Sequence, residues 1–315
     1  MKLSSIVGLL LVIALVSISS YLRLDHAGTG CTPWPECYGN IGALDEQQAD
    51  VESAYQRLVA EAREPMSWAR PAHRFVASVL GLLVLGMTVV ALARRRYRLA
   101  MLALLAVTVF LAWLGIYSEN LHSPAVVMGN LAGGFLMLGL FGWLVFELSV
   151  APTQGKDSRI RYWTTAAIVV LALQILIGGL TSANFAASAC ATLPHCQGAW
   201  FPGDGLWTAL DLSRSIDVSA AGFAVGGTER ADIHILHRWM AVVATIVISA
   251  AGILAFASSS STRLAAALVC GVVWLEVVVG VSAVLSDIPI IVAVAHNWLA
   301  GILLLSLLYL RAKSP

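Results

Sequence analysis

Apolar residues gather into eight runs, near 4–22, 72–93, 99–117, 124–148, 162–181, 233–256, 263–285 and 288–310. A helix needs roughly 20 such residues to cross about 30 Å of hydrocarbon. None of the runs shows the strict alternation of a barrel strand, and a backbone in lipid must satisfy its own hydrogen bonds. The pattern therefore predicts an all-α integral membrane protein with eight transmembrane helices. The first run carries Lys2 but no small-x-small cleavage site, so it is expected to stay as the first span rather than leave as a signal peptide.

The runs fall into two sets of four, and short motifs repeat between the sets. Cys31-Thr-Pro-Trp-Pro35-Glu-Cys37-Tyr-Gly39 is matched by Cys190-Ala-Thr-Leu-Pro194-His-Cys196-Gln-Gly198. His73-Arg74 opens the second run and His237-Arg238 the sixth. The copies are offset by 159 residues at the cysteines and 164 at the histidines. A duplicated unit follows, with two parallel four-helix-bundle repeats covering 1–150 and 151–315. An even number of helices per repeat makes the halves parallel rather than inverted.

Composition agrees. The chain is 59% hydrophobic and 12% charged, with a mean hydropathy of +0.83, which excludes an ordinary soluble domain. The net charge of +1 implies no nucleic-acid partner, and it hides an asymmetry. The short connections carry Lys2, Arg94, Arg95, Arg96, Arg98, Lys156, Arg159, Arg161, Arg263, Arg311 and Lys313, whereas the long loops 23–71 and 182–232 are rich in Asp and Glu. The excess of Lys and Arg puts both termini in the cytoplasm and both long loops on the outer face. Membrane lipid is the expected surround.

Four of the five cysteines lie in those loops, as Cys31 with Cys37 and Cys190 with Cys196. An oxidising outer face favours two local disulfides. Zinc is disfavoured because neither loop offers a second close Cys or His pair; His195 is a lone extra ligand. Cys270, in the seventh run, reads as a small buried apolar residue.

Histidine inside a span is costly and usually functional. His73, His237 and His296 (in Ala293-Val-Ala-His296-Asn297-Trp298) sit at similar depth toward the outer face. Asn130 occupies the place in the fourth span where symmetry would put another histidine. Facing imidazoles at one depth suit the axial positions of a heme iron, so these three histidines are the candidate metal ligands. Arg74 and Arg238, one residue on, could pair with heme propionates or simply snorkel to the interface. His234 shares a face with His237 and is a second candidate or a supporting residue. Glu276 in the seventh span is an unusual buried carboxyl, and Gln174 stands at the related place in the fifth.

At this point the chain resembles the heme A synthase family over nearly its whole length. The resemblance is carried by Arg23-Leu-Asp-His-Ala-Gly28-Thr-Gly30-Cys31, by Gln174-Ile-Leu-Ile-Gly178-Gly179 leading into Cys190…Pro194-His-Cys196, by His234-Ile-Leu-His237-Arg238 and by Ala295-His296-Asn297. It implies an oxidoreductase that turns a methyl group of heme O into the formyl of heme A, with water supplying the oxygen. It further implies a heme b between His237 and His296, heme O as substrate in the N-terminal half with His73 as catalytic axial ligand, and a Cys31–Cys37 disulfide near that site. A bacterial inner membrane, a heme O synthase, oxidase assembly factors and a homo-oligomer belong to the same set of expectations.

Two departures from the family pattern lie in the N-terminal half. The family has histidine where this chain has Asn130, and glutamate where it has Arg70. The first span also carries Val16-Ser17-Ile18-Ser19-Ser20 in place of the family's glutamine and glycine marks. The alternative is a membrane b-type heme protein for electron transfer, heme sensing or heme carriage. A heme-independent transporter would explain the repeats but not the two His-Arg starts.

Overall fold

In the computed structural model, residues 1–27, 69–116, 123–150, 158–216 and 226–314 are described. The spans are α1 (Lys2–Ala27), α2 (Ala69–Ala93), α3 (Arg98–Gly115), α4 (Pro124–Ser149) and α5 (Ser158–Ala183). A loop with a short helix, α6 (Gly205–Leu210), leads to α7 (Thr228–Ser258), α8 (Arg263–Leu285) and α9 (Ile290–Lys313). Among the described residues, eight helices are long and apolar enough to cross a membrane. The cysteine pair Cys31 and Cys37 lies outside the described residues.

Several helices outrun the apolar runs that announce them. α1 continues to Ala27, α5 begins at Ser158, and α7 begins at Thr228 rather than near 233. Backbone hydrogen bonding does not stop where lipid stops. At α7 the extra turn carries Glu229, whose carboxylate accepts from the Gly227 backbone N–H at 2.9 Å, an acid placed at the positive end of the helix dipole.

Contacts close the helices into two rings. α1 packs on α2, α2 on α3, α3 on α4, and α4 back on α1. In the second set α5 packs on α7, α7 on α8, α8 on α9, and α9 back on α5. This puts α2 opposite α4 and α7 opposite α9. The rings meet mainly where α4 lies along α9, with α1 against α9 and α4 against α5 at the sides. Glycines make that seam close: Gly142 receives Leu305, and a methyl on Gly301 would stand 3.2 Å from Leu138. Close approach through small residues is how helices associate where lipid offers no hydrophobic drive. The core between them is apolar, centred on Phe141, Leu144, Leu303 and Leu307. Large apolar side chains such as Leu82, Val89, Ile246 and Ile253 face outward, as lipid requires.

Candidate functional site

The opposed pair α7 and α9 carries His237 and His296, near the end of the ring from which the 182–232 loop emerges. Their ring centroids are 6.3 Å apart and the ring planes are perpendicular. An imidazole nitrogen binds a first-row metal at about 2.0–2.1 Å. Ring bonds near 1.33 Å put each atom about 1.1 Å from the ring centre. Two imidazoles on opposite faces of one ion therefore have centroids about 6.2–6.4 Å apart. The observed spacing fits a single iron between them.

The flanking helices hold each ring by its other nitrogen. The Gln174 amide nitrogen, from α5, lies 3.2 Å from His237 Nδ1 and 3.3 Å from the His237 carbonyl. Glu276 Oε1, from α8, lies 3.4 Å from His296 Nδ1, an ion-pair distance without hydrogen-bond alignment. One turn beyond each polar residue stands a glycine. A methyl on Gly178 would come 2.9 Å from His237 Cε1, and one on Gly280 would come 3.1 Å from His296 Cε1. Gln174 from α5 and Glu276 from α8 thus stand beside the two Nδ1 edges, and Nε2 is the nitrogen without a polar side chain beside it.

Above the rings, the outer loop is tied to α7. Cys190 and Cys196 stand at disulfide distance, with Cα atoms 4.8 Å apart. Arg238 donates to the carbonyls of Cys190 and Thr192, both at 2.7 Å, and of His195 at 3.2 Å. Its terminal nitrogens are thus turned to the loop, a third role beside propionate pairing and snorkelling. His234, buried, has Nδ1 3.0 Å from the Ala186 carbonyl, so it braces the end of α5 against α7. His195 is part of the loop: its Nδ1 accepts from the Gly198 N–H at 3.1 Å. Trp239 donates to the Trp200 carbonyl at 2.8 Å and stacks on Phe201. Arg23, at the end of α1, donates to the side chain of Asn297 at 3.3 Å, linking the first ring to the residue beside His296.

The first ring is arranged differently. His73 lies half-buried on α2, with Arg74 exposed beside it. Asn130 lies half-buried on the opposed α4 and donates to its own helix, at the Val126 carbonyl 3.0 Å away. Leu114 and Leu111 from α3 fill the spaces over Gly129 and Gly133. Gln174 and Glu276 stood out in the sequence singly; their shared attachment to Nδ1, and the parts of Gly280, Arg23 and Asn297, did not. The visible signal was the spacing of polar residue and glycine, identical in Gln174…Gly178 and Glu276…Gly280.

The family model of the cytochrome oxidase assembly proteins, COX15-CtaA, matches residues 3–308. The chain belongs to this family. A heme A synthase of Shewanella oneidensis is 32% identical, the match covering 98% of this chain and 95% of the relative. One of Neorickettsia sennetsu is 29% identical over 98% and 97% of the two chains, and one of Rhizorhabdus wittichii 26% identical over 95% and 89%. The family accounts for a multi-pass membrane chain.

Proposed function

We propose that this chain is a heme A synthase, a membrane oxidoreductase that converts a methyl group of heme O to the formyl of heme A. The C-terminal ring holds a resident heme b through His237 and His296, and the N-terminal ring takes heme O at His73. The observation that supports this best is the 6.3 Å, perpendicular pairing of the two imidazoles, together with relatives that are heme A synthases along nearly their full length. The resident heme would supply one-electron chemistry between the substrate half and an acceptor. Oxidising a methyl to a formyl with water as oxygen source releases electrons and protons, so such an outlet is required. The chain's own part is to fix two rings, to cap them with the Arg238-bound loop, and to keep bulk water from the helix interior. The basic short connections favour both termini on the cytoplasmic side, and the bacterial relatives favour an inner membrane in which a heme O synthase would deliver substrate.

A second reading, a b-type heme protein without synthase activity, is favoured by Asn130, whose amide donates to its own helix, and by Arg70 in place of a carboxylate. One experiment separates them. The chain is expressed in a host that makes heme O but no heme A, and the extracted pigments are separated. Heme A is the expected product; protoheme and unchanged heme O alone would establish the second reading.

A further inference from the structure

The proposed heme b site has two imidazoles held by unlike neighbours. Between Ala166 and Leu180 of α5 the one polar side chain is Gln174. Between Leu264 and Val281 of α8 the one carboxyl is Glu276. A polar group in such a stretch is costly unless it meets a partner. Each meets the same atom type, an imidazole Nδ1, at 3.2 Å and 3.4 Å. Each is followed one turn later by a glycine against which the ring lies. Two helices from different parts of the chain therefore repeat one device, with an amide in one copy and a carboxyl in the other.

We infer that Gln174 and Glu276 are positioning residues that fix the two axial imidazoles through Nδ1 and make them unequal ligands. The inference rests on His237 and His296 holding a heme. An iron-bound Nε2 leaves the proton on Nδ1, which then donates to the flanking group. The Glu276 carboxyl accepts it on His296. On His237 the Gln174 amide nitrogen lies at Nδ1 and donates to the His237 carbonyl; turning the amide over gives up that carbonyl bond and brings the oxygen, buried without a partner, to Nδ1 as acceptor. A carboxylate oxygen is a stronger acceptor than an amide oxygen, raises the basicity of its imidazole and favours the oxidised iron. His296 is thus the more electron-donating ligand, and Glu276 holds the potential of the bound heme down.

The test uses the full-length chain purified with its heme. Glu276→Gln should leave a low-spin spectrum with a midpoint potential higher than that of the unaltered protein, and Gln174→Glu should move the potential lower. The double exchange should return it toward the starting value. If Glu276→Gln does not fold or loses its heme, Gln174→Glu decides alone, since it keeps Glu276 in place. Full heme content with unmoved potentials in the single variants would overturn the inference while leaving the heme site intact. Should His237→Ala and His296→Ala both keep the low-spin spectrum, the heme site assignment itself fails instead.

Discussion

Between α5, α7, α8 and α9 two imidazoles face each other, each with a polar side chain from a neighbouring helix at its Nδ1. Between α1, α2, α3 and α4 the same end of the ring offers one imidazole, an amide bonded to its own helix, and aliphatic packing. α3 contains no carboxyl or amide side chain, and α1 none before Asp25. The contrast separates two physical tasks. A resident cofactor is best held by rings whose orientation is fixed before it arrives, since every restraint already made lowers the ordering cost of binding. A substrate that must enter and leave is poorly served by such a clamp. On the proposed reading, one ring is built to keep its porphyrin and the other to exchange it.

The most damaging test of this contrast removes the clamp. His237→Ala or His296→Ala should abolish the low-spin heme signal and cut bound heme by about 100-fold or more, at or beyond the upper end of the 10–100-fold range for supporting residues. His73→Ala should leave that signal in place, because its ring belongs to the other set of helices. A loss of the low-spin signal in His73→Ala would break the division of labour between the halves.

A second test tries to make the halves alike. Asn130→His with Arg70→Glu gives the N-terminal ring the residues that the family carries there. In the host that makes heme O but no heme A, the yield of heme A per milligram of protein should rise above that of the unaltered chain. An unchanged yield would show that those two positions do not limit the substrate half.

How much of this was legible follows from what each feature depends on. The spans were readable because membrane crossing needs only a length of apolar chain, which is local in sequence. The helices α1, α5 and α7 run past those apolar stretches because polar residues continue the helix, at α7 with the Glu229 carboxylate accepting from the Gly227 N–H. His237 and His296 were legible because the duplicated His-Arg start and their common depth singled them out. Their partners were not, since Gln174 lies 63 residues from His237 and only helix packing brings them together. Arg238 was open for a similar reason. An interfacial arginine can reach water, a propionate or a carbonyl, and its proximity to Cys190 and Thr192 comes from a loop that folds back.

The smallest effect concerns the two glycines, and it probes whether the clamp is as tight as the distances imply. A methyl on Gly178 would meet His237 Cε1 at 2.9 Å, closer than atoms of this kind approach, while one on Gly280 would meet His296 Cε1 at 3.1 Å. The backbone at both positions is helical, so alanine itself is tolerated and the cost falls on the ring. Overpacking of a fitted interior costs about 1–3 kcal/mol, and about 1.4 kcal/mol is tenfold in affinity. Gly178→Ala should therefore weaken heme retention by about tenfold, measured as heme loss to an apo-myoglobin acceptor. Gly280→Ala should weaken it less, because the ring has 0.2 Å less to yield. The equivalent exchange at Gly86 in α2, where a methyl would meet nothing within 4 Å, should change neither heme retention nor the spectrum. Equal retention in all three variants would mean that the rings have room to turn, and the rigid half would then differ from the open one in ligands alone.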